Sequence, residues 1–162
     1  MGKLLIKQKV FSWTDQYDVY DEMGNPRYFV KADMFTIGHR IRVYEKVSGR
    51  EIGLIQEKLF RILREFEISI NGVSQAAIKK QFTFFFPKYD IDYKGWKLEG
   101  DFMEWNYSIH EGQRLVVKIE KQLFHWGDTY VLDFADPNDE VPALMVAIAM
   151  DAAKCSESNN NS

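Results

Sequence analysis

Cysteine is nearly absent from this 162-residue chain: Cys155 stands alone, so no internal disulfide can form. Histidine appears three times and proline four. No Gly-x-Ser-x-Gly elbow, phosphate-binding loop, His-Glu-x-x-His or paired-cysteine word is present, which removes the readable nucleophilic, nucleotide and zinc signatures. The chain has no N-terminal apolar run of signal-peptide length, and its longest apolar stretch falls well short of the ~20 residues that span a bilayer. These absences predict an intracellular, soluble protein with no transmembrane span.

Aromatic residues are plentiful instead, at 15% with 12 Phe and 8 Tyr, a composition that favours strands. The length suits one domain, large enough to bury ~70% of its unfolded surface. A formal net charge of −3 hides an asymmetry: residues 1–90 hold 15 Lys+Arg against 11 Asp+Glu, and residues 91–162 hold 6 against 13. A uniformly basic nucleic-acid binder is therefore not expected, but a local basic face on the first half is.

One stretch, Pro137 to Lys154, reads as helix. From Ala143 to Met150 no residue is polar, and at about 100° per residue Leu144, Met145, Val146, Ala147, Ile148 and Met150 point in most directions. Such a helix is buried on all sides. Asn138 or Asp139 is expected to cap it, Glu140 suits its positive end, and Pro142 sits in the first turn. The helix is expected over about 139–154, with Asp151 where it emerges into water and a disordered polar tail over 156–162.

The rest of the chain reads as extended. His39–Tyr44 alternates strictly, with Ile41 and Val43 on one face and Arg40, Arg42 and Tyr44 on the other. Asn71-Gly72 between two alternating runs is a strong hairpin signal, because both residues tolerate positive φ. Leu59–Arg64 fits a short helix or a bend equally well, and Phe82–Phe86, ending at Pro87, reads as a strand. About twelve strands precede the helix. Tyr17–Gly24 with its following residues is echoed by Tyr107–Gly112 at an offset near ninety, a weak internal repeat that chance or duplication explains equally. Eight strands enclose only their own side chains and sixteen leave a channel, whereas a closed antiparallel barrel of about twelve accommodates a helix ~10–12 Å across.

Several words in this order, Ile6-Lys-Gln-Lys9, Tyr17-Asp-Val-Tyr-Asp-Glu-Met-Gly24, Ile55-Gln-Glu-Lys-Leu59, Glu99-Gly-Asp101, Asp128-Thr-Tyr130 and Ala147-Ile-Ala-Met-Asp151, resemble the LURP-one-related family. That family shares the Tubby-like fold with Tubby C-terminal domains and phospholipid scramblases, and the resemblance is to its bacterial-type members. It implies a twelve-stranded barrel over residues 1–155 threaded by a central helix. For function it implies less, since the family spans plant stress-related proteins and bacterial proteins of unassigned role.

Among candidate sites, His39, His110 and His125 are scattered and Cys155 has no base that sequence can place beside it. The Asp-rich run Asp133–Asp139 lacks the ligand spacing of a calcium loop. No catalytic residue, metal or cofactor is expected. Arg40, Arg42, Lys58, Arg61, Arg64, Lys79 and Lys80 remain, as candidates for contacting anionic phospholipid headgroups. The competing account has Arg40 and Arg42 paired across strands with Glu51, Glu57 or Glu65 on an ordinary solvated face. The expected function is a non-enzymatic module at anionic lipid or a protein partner, in the cytoplasm or peripheral at the membrane. The alternatives are a scramblase-like protein whose apolar helix inserts in lipid, and an enzyme or small-ligand carrier using the barrel interior.

Overall fold

A computed structural model of the protein describes residues 2–7, 16–33, 38–124 and 127–160. Its strands are β1 (Gly2–Lys7), β2 (Gln16–Asp21), β3 (Pro26–Asp33), β4 (Arg40–Glu45), β5 (Glu51–Glu57), β6 (Glu65–Ile70), β7 (Val73–Lys80), β8 (Tyr89–Asp92), β9 (Trp96–Asp101), β10 (Asn106–Glu111), β11 (Arg114–Phe124) and β12 (Gly127–Phe134). A 3-10 turn, Pro137–Asp139, leads into the helix α1 (Glu140–Asn160). Residues 8–11 of the expected first strand, Phe35 to Ile37 of the internal echo, and His125 with Trp126 lie outside the described residues.

The strands form one antiparallel sheet in the order β8-β7-β6-β5-β4-β3-β2-β1-β12-β11-β10-β9. The sheet curls into a nearly closed barrel. Its two edges, β8 and β9, come side by side across a seam without sharing a hydrogen-bonded ladder. Alternation sets the faces: Ile41 and Val43 of β4 point inward, as do Phe66, Ile68 and Ile70 of β6. The hairpin turn at Asn71-Gly72 has both residues at positive φ, 50° and 78°. The two stretches of the internal echo each form a bulged hairpin strand, with the bulges at Val19/Tyr20 and at Ile109/His110, corresponding positions in the echo.

Inside the barrel runs α1. Every residue from Ala143 to Met150 is at most 1% exposed, and burying each large apolar side chain contributes ~1.5–3 kcal/mol. Helix and sheet approach closely at Gly53 on β5, where a Cβ would meet the end of the buried Met145 side chain. The 3-10 turn that leads into the helix is capped by Asp136, whose side chain accepts from the Asn138 amide at 2.9 Å. Asp139 is instead drawn to Arg114 of β11, and Glu140 to Arg27 at 3.1 Å and the Tyr28 hydroxyl at 2.9 Å.

Three further expectations are corrected. The helix continues beyond Lys154 to Asn160, because Ser156 and Glu157 are themselves buried by the surrounding strands. Asp151 does not reach water: it is 5% exposed, inside the barrel. Phe82–Phe86 is not a strand but part of the loop between β7 and β8, with no ladder partner; Thr83 Oγ1 folds it by donating to the Phe86 carbonyl at 2.5 Å. Leu59–Arg64 is likewise a non-helical connection. Among the described residues no helix is long and apolar enough to cross a membrane.

Candidate functional site

Strand direction divides the molecule into two ends. Tight turns after β2, β4, β6, β8 and β10 make one end, where α1 enters. The connections after β5, β7 and β9 make the other, where α1 finishes; this is called the loop end here. All seven basic residues singled out in the sequence lie at or near it: Arg40 and Arg42 open β4, Lys58, Arg61 and Arg64 occupy the β5–β6 loop, and Lys79 with Lys80 close β7. A backbone bond of 2.8 Å from Lys58 N to Glu65 O closes the β5–β6 loop, and one of 2.8 Å from Lys80 N to Arg64 O joins it to the end of β7. The seven thus span four neighbouring strands rather than scattering around the barrel.

Each has a polar partner, and the partners sort them. Arg64 Nε bonds Glu57 at 3.2 Å and Lys80 Nζ bonds Glu157 at 2.5 Å, with all four side chains mostly shielded from water. These pairs are structural: the second ties the end of α1 to the barrel, helped by the Tyr89 hydroxyl at 2.8 Å from the same Glu157 oxygen. Burial works to raise the Glu157 carboxyl, but hydrogen bonds from Lys80 and Tyr89 outweigh it and hold the carboxyl below its ordinary range. The same contact and burial push the Tyr89 hydroxyl upward. Glu57 is also held low, chiefly by its hydrogen bond with His39.

The other cations are more accessible. Arg61 pairs with Glu65 at 3.4 Å and Lys79 with Asp92 at 3.3 Å, both cations being exposed, while half-buried Lys58 pairs with Glu67 at 2.5 Å. Arg42 lies between Glu51 at 3.3 Å and Asp33 at 3.7 Å, and Arg40 Nε donates to Gln56 at 2.6 Å. The cross-strand pairing of Arg42 with Glu51 is the one the solvated-face account expects. Exposed pairs of this kind stabilise by only ~0–1 kcal/mol, so their cations can change partner at little loss.

Composition of the two loops was the feature that sequence reading missed. Residues 58–64 and 79–88 contain no carboxylate, while Lys88 adds a sixth cation to Lys58, Arg61, Arg64, Lys79 and Lys80. Between them stand large apolar side chains without cover. Phe60 and Ile62 are fully exposed, and Phe82, Phe84, Phe85 and Phe86 are between 75 and 90% exposed. Phe82 and Phe84 meet edge to face at 5.4 Å. Gln81 N bonds Lys88 O at 2.8 Å and closes the base of their loop. The signal was legible as four phenylalanines beside Pro87, a residue that cannot donate to a central ladder.

Beside this surface, along the seam between β8 and β9, lies a groove of about 720 Å³ whose lining includes Phe86, Tyr89, Trp96, Leu98 and Phe102. Asp101 and Glu104 also border it and limit the cationic sector to the β4–β8 side. Within the barrel, burial pushes the Asp151 carboxyl well above the usual carboxylate range, opposed by Lys154. The enclosed Tyr107 hydroxyl feels that carboxyl and has no hydrogen-bond partner among the described residues. His39 contacts Glu57, and His110 lies near Ser108 and Glu99. Cys155 is half-buried. Among the described residues no cluster of acidic, His or Cys side chains has the arrangement of a metal site.

A profile of the LURP-one-related family matches residues 3–151. The uncharacterized protein YxjI of Bacillus subtilis is 30% identical over 151 residues, covering 93% of each chain. An X-ray structure of a protein from Arabidopsis thaliana superposes with a TM-score of 0.64 over 94% of this chain and 91% of that one. At 15% identity that likeness is one of fold.

Proposed function

The chain belongs to the LURP-one-related family, and from that premise we propose that it is a non-catalytic, Tubby-like binding module that contacts anionic phospholipid headgroups at its loop end. One observation carries this: the exposed cations Arg61 and Lys79, with half-buried Lys58, lie at that end, on or beside loops whose sequences contain no carboxylate. Each cation near an anionic bilayer contributes ~1 kcal/mol, comparable to or larger than the exposed ion pair it leaves. Arg64 and Lys80 hold the architecture beneath, and Arg40 and Arg42 flank the surface.

Filling of the interior supports a non-catalytic role. The helix side chains from Ala143 to Met150 occupy the volume that an interior enzyme site or small-ligand carrier would use. A scramblase-like insertion of α1 would require the same residues to leave the barrel, forfeiting their burial, so it ranks below surface contact. Sedimentation with vesicles at low salt tests the proposal: the protein pellets with phosphatidylserine-containing vesicles and stays in the supernatant with pure phosphatidylcholine. Lys58→Glu, Arg61→Glu and Lys79→Glu together abolish the difference. Equal recovery in both supernatants for the unaltered protein refutes lipid contact.

A further inference from the structure

Three cations alone give a weak, salt-labile attraction, and the loop end carries a second feature that attraction does not use. We propose that the 58–64 and 81–88 loops insert their apolar tips into the interfacial region of an anionic bilayer, so that the barrel docks end-on, with the turn end pointing away. The proposal rests on the headgroup-contact reading above and adds the depth and orientation of binding.

Four observations meet here. The six tip residues, Phe60, Ile62, Phe82, Phe84, Phe85 and Phe86, stand on two loops with three quarters or more of each exposed, and Phe86 also borders the seam groove. Large apolar side chains grouped and uncovered in this way mark an interaction site. Both loops belong to the same end, joined through the Lys80–Arg64 backbone bond of 2.8 Å. Cations bracket both apolar runs, with Lys58, Arg61 and Arg64 around one and Lys79, Lys80 and Lys88 around the other. Apolar residues interleaved with Lys and Arg, in loop sequences without a carboxylate, match a surface that is hydrocarbon below and anionic at its headgroups. A protein partner would present no such layered requirement, and a second copy of this loop end would bring like charges together.

Turn-end composition gives the contrast. Its exposed apolar residues among those described, Met23, Val47, Val73 and Leu115, are spread singly over four different turns. Among the described residues the loop end combines several apolar tips with loop sequences that carry cations and no carboxylate.

The test uses the full chain with Cys155→Ser and a single Phe85→Cys bearing an NBD fluorophore, and a second protein labelled at Val47→Cys on the turn end. Vesicles are phosphatidylcholine with or without 30% phosphatidylserine, where about a third anionic lipid sets a negative surface potential. Insertion predicts a blue shift and brightening of the Phe85-site label on anionic vesicles only, with the Val47-site label unchanged. Phe82→Ser, Phe84→Ser and Phe85→Ser combined in unlabelled protein, with an unaltered thermal melt, lowers vesicle partitioning at least about tenfold. Co-sedimentation without a blue shift overturns insertion and leaves headgroup contact standing. No co-sedimentation of the unaltered chain overturns both. A protein that is dimeric by light scattering, becomes monomeric with the three Phe→Ser changes, and ignores vesicles shows the surface to be a self-interface and refutes the proposal.

Discussion

Replacing Ala147 by glutamate puts the enclosed helix under the most direct stress. Ala147 is fully buried in the middle of the apolar run, between helix and barrel wall. At pH 7 a carboxyl there must be held neutral, and with an unfolded pKa of ~4.3 that alone costs about 4 kcal/mol at ~1.36 kcal/mol per pH unit. Forcing a longer side chain into packed surroundings adds ~1–3 kcal/mol, and leaving its polar atoms without hydrogen bonds adds ~1–3 kcal/mol more. The total, ~6–10 kcal/mol, matches the entire stability of an ordinary domain, ~5–15 kcal/mol. Ala147→Glu is therefore expected to leave the soluble fraction on expression and to lack a cooperative melt by circular dichroism at pH 7. Ala147→Leu, which carries only the packing penalty, should melt cooperatively at reduced temperature. Val47→Glu, on an exposed turn, should behave as the unaltered protein. A wild-type melt for Ala147→Glu at pH 7 would refute the enclosure of the helix.

Three further outcomes follow from named contacts. Asp151→Asn should stabilise the protein, by more at pH 8 than at pH 4: burial raises the folded carboxyl, so the folded state holds the extra proton and stability falls as pH rises from the unfolded value toward the folded one, by up to ~1.4 kcal/mol per pH unit; equal melts of both proteins at pH 8 would contradict this. Gly53→Ala should destabilise by ~1–3 kcal/mol through its collision with Met145, and denaturant titrations should show the penalty shrinking in a Met145→Ala background; additive effects would break the proposed contact. Glu157→Ala should cost ~1–3 kcal/mol by stranding Lys80 and the Tyr89 hydroxyl. Because the folded Glu157 carboxyl lies below its ordinary range, that difference should be full above about pH 5 and fade as pH falls through the lowered value.

Much of the fold was legible because short-range rules decided it. Period-two alternation placed β4 and β6, Asn71-Gly72 fixed their neighbouring hairpin, and the absence of any polar residue from Ala143 to Met150 required enclosure. What failed depended on what the tertiary structure supplied. Asp151 and Glu157 looked like surface residues, yet the barrel is deep enough to bury the first and to provide Lys80 and Tyr89 for the second. The phenylalanines of 82–86 looked like a strand by composition, but they find no partner strand and stand in water. Sequence also grouped seven basic residues that the structure brings to one end while dividing them into half-buried ties, such as Arg64 and Lys80, and exposed cations, such as Arg61 and Lys79. Sequence spacing carries no information about which carboxylate lies opposite a given lysine.

Backbone hydrogen exchange of the full chain, with and without phosphatidylserine-containing vesicles, tests end-on docking most directly. Protection on vesicle addition should concentrate in peptides covering 58–64 and 81–88 and leave the turns at 22–25, 46–49 and 71–72 unchanged. Protection at those turns, or uniform change across the barrel, would contradict it.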